Sequence, residues 1–177
     1  MTKLGFLGAM NRDVVVHQPA AMLCQALGVD APRLLETPVS DAVAARGANT
    51  LEVLGAATYL GGSAFNTARV VAMLDRRGRH DLAFFGIAGS LDGHHPHLDA
   101  LAAWRVDTSR VERSLLPPAT CLAMVEPAGR TLLTAHGANA GIANWLQRRS
   151  AELAQAIATC DIVHCPASAL MGPNRLN

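Results

Sequence analysis

Three short polar clusters carry the residue types that hold hydroxyl groups. Asn11 and Asp13 lie in Gly8-Ala9-Met10-Asn11-Arg12-Asp13. A second cluster, Gly61-Gly62-Ser63-Ala64-Phe65-Asn66, joins two glycines to a hydroxyl and a carboxamide, and Gly137-Ala138-Asn139-Ala140 repeats the glycine–amide combination. A carboxylate accepts from an O–H, a carboxamide both donates and accepts, and backbone amides beside glycines add further donors. Together these groups suit a polyol such as a sugar. Taken singly, each cluster has a plainer reading. Asp13 serves as a turn or capping residue, and Ser63 as the N-cap of a helix with Asn66 at its third position. The helix end behind Gly61 and Gly62 is also positively polarised and could face an anion.

Other chemistries find less support. The sequence has no GxxxxGK[ST], no GxGxxG after a strand-like run and no GxSxG elbow. Neither a P-loop, a dinucleotide fingerprint nor a nucleophile elbow is therefore expected. Gly86-Ile87-Ala88-Gly89 has the wrong spacing for either nucleotide motif. His94-His95-Pro96-His97 lacks a metal-ligand pattern and reads as exposed loop histidines, so no metal site is expected. Arg76-Arg77-Gly78-Arg79 reads as a solvated turn. Cys24, Cys121, Cys160 and Cys165 form no CxxC pair and sit in apolar surroundings, as buried thiols of a reducing compartment do.

The elements that must position the clusters follow from apolar patterning. Leu4 to Ala9 reads as a buried first strand, followed by a polar turn carrying Asn11 and Asp13 before Val14-Val15-Val16. Pro19 to Leu27 reads as a helix closed by Gly28, and Thr37-Pro38 opens a second helix that Gly47 closes. Thr50 to Leu60 has strand character and runs into the glycine pair. Leu82 to Ile87 reads as a strand covered on both faces, His97 to Trp104 as a helix, and Val106-Asp107-Thr108-Ser109 as the end of that unit. Thr120 to Val125 and Thr131 to Thr134 form a hairpin about Glu126-Pro127-Ala128-Gly129-Arg130. One long helix is expected over Ile142 to Thr159, then a strand over Asp161 to Cys165. Strands alternate with helices, which predicts an α/β fold with a largely parallel sheet and helices on both faces. The three clusters then fall just past strand ends, where open α/β sheets place ligands. Pro166 to Asn177, with Gly172-Pro173-Asn174, reads as a loop without a closing element, as in part of a larger protein.

Composition is consistent with this frame. Half of the 177 residues are hydrophobic and only 4% are aromatic, which suits small-residue packing between helices and sheet. The formal net charge is +1 without a Lys/Arg block, so neither nucleic acid nor a membrane surface is an expected partner. Met1-Thr2-Lys3-Leu4-Gly5 lacks the apolar core of a signal peptide, and no run reaches the length of a membrane span. A soluble, cytoplasmic chain is expected.

The ordered set of motifs resembles the ribokinase (PfkB) family of carbohydrate kinases. Gly8 to Asp13 is similar to the first-strand turn in which that family's Asn and Asp hold the sugar. Gly61-Gly62-Ser63-Ala64-Phe65-Asn66-Thr67-Ala68 matches the first signature, GGxxxNxA; Gly86 and Gly89 match GxxG; Val106 to Ser109 matches a "gVdts" turn; and Gly137 to Ala140 matches GANA. The resemblance implies a ribokinase-like, mostly parallel, doubly wound (Rossmann-like) sheet with helices on both faces. It also implies a small lid within about residues 13–60, as in the adenosine-kinase-like branch. It implies a sugar or nucleoside as partner, bound by Asn11, Asp13, Gly61, Gly62, Ser63, Asn66 and Asn139, with ATP and Mg as cofactors and a homodimer through the lid. Two departures stand out. Leu91 replaces the usual Asp of GxxGxD, with His94 for the next glycine, and the second signature, DTxGAGD, occurs nowhere in the sequence. Residues 1–177 then correspond to the N-terminal portion of one kinase domain, truncated before its ATP-binding and catalytic portion and inactive alone. The alternatives are a non-catalytic carbohydrate- or nucleoside-binding module and a degraded gene product.

Overall fold

The computed structural model describes residues 1–166, so the expected loop beyond Pro166 lies outside the described residues. In chain order the elements are β1 (Thr2–Leu7), β2 (Asn11–Val16), α1 (Ala20–Leu27), β3 (Glu36–Pro38), α2 (Asp41–Val53), β4 (Ala57–Gly61) and α3 (Ser63–Leu74). There follow β5 (His80–Ala88), α4 (Pro96–Ala103), β6 (Asp107–Arg113), β7 (Ala119–Glu126) and β8 (Gly129–Ala135). A 3-10 turn (Gly137–Gly141), α5 (Ile142–Arg148), α6 (Ser150–Ala158) and β9 (Ile162–His164) complete them. They belong to two compact units. One holds Met1–Met10, Gly61–Pro118 and, of the described residues, 138–166; the other holds Asn11–Leu60 and Ala119–Gly137.

The first unit is built on a four-stranded sheet of order β6-β5-β1-β9. All three pairings are parallel, with Phe6 opposite Phe84 on one side and His164 on the other. β5 is buried along nearly its whole length, as a strand covered on both faces must be. Ala83, Phe85 and Ile87 face Trp145 of α5 and Leu153 of α6. Strand alternation turns Leu82 and Phe84 to the opposite face. Phe65 of α3 is fully buried and meets the ring of His97 on α4 edge-on, with centroids 4.9 Å apart. His97 therefore lies in the core and not in an exposed loop. Leu91 and His94 exchange backbone hydrogen bonds of 2.9 Å across Asp92 and Gly93, both with positive φ. That is the Asp-Gly geometry of a two-residue turn, formed where Leu91 and His94 depart from the GxxGxD pattern and its following glycine.

The second unit carries a mixed five-stranded sheet of order β3-β8-β7-β2-β4. β7 and β8 form the expected antiparallel hairpin, while β2 runs parallel to β7 and β3 parallel to β8. Val14, Val16, Leu122, Met124 and Leu133 pack against Leu23, Leu27, Ala48 and Leu51 of α1 and α2. Alternation leaves Asp13 and Val15 on the other face of β2.

Several expectations are revised here. Asn11 and Asp13 lie on β2 and not in a turn, because pairing with β7 begins at Asn11 opposite Ala119. Thr37-Pro38 belongs to β3, captured by β8, and the helix starts only at Asp41, with the Ser40 hydroxyl accepting from the Val43 amide at 3.3 Å. It continues through Gly47 to Val53, so strand structure is confined to Ala57–Gly61. Val106 to Ser109 does not end a unit but leads into β6, a strand paired with β5. The long helix is two, broken at Arg149, whose ψ of 13° leaves the helical range. β1 stops at Leu7, short of Ala9, and the Gly8 amide makes its last ladder bond, to the Phe85 carbonyl at 3.1 Å.

Gly47 sits inside α2 for a packing reason. A Cβ there would lie 2.3 Å from Leu122 Cδ1 and 3.1 Å from Leu27 Cδ1. Gly47→Ala should therefore destabilise the protein, overpacking at about 1–3 kcal/mol outweighing about 1 kcal/mol of helix propensity. Leu122→Ala alone should cost about 2–5 kcal/mol. In that background Gly47→Ala should become neutral or stabilising. Urea denaturation of the four proteins measures this coupling, and equal effects of Gly47→Ala in both backgrounds would exclude the contact as the cause.

Candidate functional site

In the first unit the turn after β1, the head of α3 and β5 meet through backbone. Gly62, not Ser63, is the N-cap of α3, with φ 107° and ψ 132°, and no side chain caps the helix. A Cβ on Gly62 would stand 2.2 Å from the Ala9 carbonyl oxygen and 3.3 Å from Met10 Cα. Both the positive φ and this approach demand glycine. The first turn closes on it, the Asn66 amide donating to the Gly62 carbonyl at 2.8 Å. Asn66 thus lies one position later than the capping-box count suggests. A Cβ on Gly86 would meet the Gly8 carbonyl at 2.6 Å, so β5 adds a second close approach to the same turn.

This packing buries Gly61 and Gly62 and leaves the Ser63 and Asn66 side chains exposed on the first turn of α3. Asn139 occupies the 3-10 turn, and its Nδ2 donates to the Met10 carbonyl at 3.3 Å. One function of Asn139 is therefore to hold the end of the turn that leads into Asn11.

In the second unit Asp13 is half-buried on β2, directly opposite Cys121 on β7. Burial raises the Asp13 carboxyl above the ordinary aspartate value, and the nearby Arg130 guanidinium partly opposes that. Cys121 is pushed up to about 12, chiefly by burial and then by the charges of Asp13 and Glu36. It remains a neutral thiol beside the carboxylate, unsuited to nucleophilic or redox work. Cys24 alone of the four free cysteines is fully buried; Cys121, Cys160 and Cys165 are half-buried. The Gly137 amide donates to Asp41 Oδ1 at 3.0 Å, tying Gly137 to the first residue of α2. The sequence marks Ser40-Asp41 as a helix start, but a bond across 96 residues leaves no local signal.

The clusters are thus divided between the units: Asn11 and Asp13 on one side, Gly61, Gly62, Ser63, Asn66 and Asn139 on the other. The chain passes between the units at Met10/Asn11, Leu60/Gly61, Pro118/Ala119 and Gly137/Ala138, so each cluster adjoins a crossing. Among the described residues no group of three His, Cys, Asp or Glu side chains is placed to hold a metal ion. No helix among them is long and apolar enough to cross a membrane.

Comparison with known structures identifies the fold as ribokinase-like. Adenosine kinase from Trypanosoma brucei brucei superposes with a TM-score of 0.67 at 17% identity, over 92% of this chain and 48% of that one. Adenosine kinase from Anopheles gambiae, solved with P1,P4-di(adenosine-5) tetraphosphate, gives 0.65 at 20% identity over 92% and 47%. A fructokinase from Halothermothrix orenii gives 0.52 at 14% identity over 77% and 38%. The chain spans less than half the length of these proteins. No curated protein sequence matches it. The family model described as pfkB family carbohydrate kinase matches residues 38–172, a span that takes in the Gly62 clamp, Asn66 and Asn139. A match over that much of the sequence, on this fold, makes the chain a member of the pfkB family of carbohydrate kinases.

Proposed function

We propose that this chain supplies the acceptor-binding part of an ATP-dependent sugar or nucleoside kinase, the unit of Asn11–Leu60 and Ala119–Gly137 serving as its lid. The observation that carries the reading is the Gly62 clamp, a backbone approach that leaves Ser63 and Asn66 exposed at the head of α3. In this reading Asp13 accepts from acceptor hydroxyls, and Asn11 and Asn66 each donate to and accept from such hydroxyls. Gly61, Gly62 and Ser63 contribute at the helix head, and Asn139 acts by holding Met10. Gly61 and Gly62, at a crossing between the units, act as the hinge. A desolvated Asp13 carboxylate gains most from hydroxyl donors, since hydrogen bonds to the charged form compensate its burial.

Bound MgATP would supply the γ-phosphoryl group, with catalysis by positioning and charge stabilisation. The described residues do not fit that group. They offer no carboxylate cluster for Mg, and the sequence has neither GxxxxGK[ST] nor DTxGAGD. In this reading phosphoryl transfer depends on the DTxGAGD signature, which this sequence lacks. The 177-residue protein should accordingly show no transfer of phosphate from ATP to ribose, fructose or adenosine in a labelled-phosphate assay. Turnover should appear when a polypeptide bearing the DTxGAGD half is supplied. Robust turnover by the chain alone would refute this division of labour. A purely binding module differs at the same point, since it would bind acceptor yet stay inactive with that half present.

Asp13 gives a second test. Its carboxyl is raised in the folded state, so the folded protein holds that proton more tightly than the unfolded chain. The associated stability is present below the unfolded value and lost as pH rises through the folded one. Asp13→Asn should therefore raise Tm at pH 7, with the difference vanishing below about pH 4, where the aspartate is protonated in both states. The same substitution should weaken acceptor binding about 10- to 100-fold in calorimetric titration. Wild-type affinity should fall as the pH drops through the raised Asp13 value. Unchanged affinity in Asp13→Asn would remove Asp13 from the site.

A further inference from the structure

Beyond the residues of the family motifs, one polar chain in the first unit reaches the head of α3 from the sheet. The Thr67 hydroxyl donates to the Ser63 carbonyl at 2.9 Å, one turn back. Its oxygen also lies 3.2 Å from Nε2 of His164. A hydroxyl has a single hydrogen; with it on the Ser63 carbonyl the oxygen accepts at His164, and the tautomer with the proton on Nε2 completes the pair. His164 is the last residue of β9, opposite Phe6 of β1, and the Thr67 and His164 side chains are both half-buried. The signature GGxxxNxA leaves the position of Thr67 unspecified, and His164 belongs to no motif.

Both ends of this chain need support. α3 starts without a side-chain cap, so its first turn relies on Gly62 and on whatever else restrains it. β9 has three residues and pairs with β1, with Ile162 62% exposed. Its amino end is fixed by Asp161, whose amide donates to the Lys3 carbonyl at 2.9 Å and whose Oδ2 accepts from the Lys3 amide at 2.7 Å. At its carboxyl end the His164–Thr67 bond is a side-chain anchor.

We infer that Thr67 and His164 are positioning residues that strap the first turn of α3 to the carboxyl end of β9, setting the orientation of Ser63 and Asn66. This rests on the acceptor-binding reading of Asn66. Back-bonding of a threonine to its own helix is common and by itself positions nothing. The imidazole from another element converts it into a tie between helix and sheet.

The test compares the wild type with Thr67→Val, His164→Phe and His164→Gln, the last keeping an N–H donor. Hydrogen exchange of residues 63–70 and calorimetric titration with ribose, fructose and adenosine are the two readouts. Thr67→Val and His164→Phe should speed exchange in that segment about tenfold, with exchange in β5 unchanged. They should weaken probe binding about five- to tenfold, and His164→Gln should restore both to within about twofold. Unchanged exchange in both Thr67→Val and His164→Phe overturns the strap. Faster exchange with unchanged affinity, or no rescue by His164→Gln, overturns the positioning role. If the wild type binds none of the probes, the acceptor-binding reading falls and the positioning role with it, while exchange alone still decides the strap.

Discussion

The contact between Gly62 and the Ala9 carbonyl is the constraint on which the turn after β1 and the head of α3 depend. At 2.2 Å from a notional Cβ, it admits no side chain. It brings the exit of β1 and the entry of α3 into backbone contact, a distance that even alanine would widen. Other features follow from that closeness. Ala64 lies against Gly8, Gly86 lies under the Gly8 carbonyl, and Asn139 reaches the Met10 carbonyl. The turn is thus held by atoms from β5, α3 and the 3-10 turn, and its last residue is bonded covalently to Asn11. Close backbone packing of this kind sets where the Cα atoms of Ser63 and Asn66 stand within this unit.

The second unit solves a different problem. Its sheet buries Val14, Val16, Leu122 and Met124 against two helices, leaving the alternate residues of the same strands for other work. Asp13 stands on that alternate face, partly out of water, beside a thiol that stays neutral. A carboxylate held there is a local cost to folding, offset by apolar burial on the opposite face of the same strand. The arrangement suits a group whose hydrogen-bond partners arrive with a ligand. Adjacent residues thus take opposite settings, Val14 in the core and Asp13 half-buried on the alternate face.

The legible parts of the sequence were those whose cause is local. The hairpin around Pro127 and Ala128, the helix closed by Gly28 and the doubly covered strand ending near Ala88 follow from neighbouring residues alone. The motif order also carried the family, because glycine and amide positions along the chain survive without knowledge of contacts. Failures came where a distant partner overrode a local preference. Thr37-Pro38 looks like a helix opening, but β8 captures it as a strand. Gly47 looks like a helix end, but it is the point where α2 must approach Leu122. His97 follows two loop histidines and a proline, but Phe65 draws it into the core. Ser63 is a good cap by composition, and Gly62 takes that place because only glycine fits against Ala9.

What the sequence by itself determined is the α/β class, the family and the identity of the candidate residues. These depend on residue type and on spacing along the chain. Tertiary structure alone decided their setting: Asn11 and Asp13 on a strand, the clusters divided between two units, Asn139 bonded to Met10, and Asp41, Thr67 and His164 drawn in as supports. The physical reason is that a hydrogen bond or a backbone approach between residues a hundred positions apart is set by the packing of whole elements. Local propensity carries no record of it.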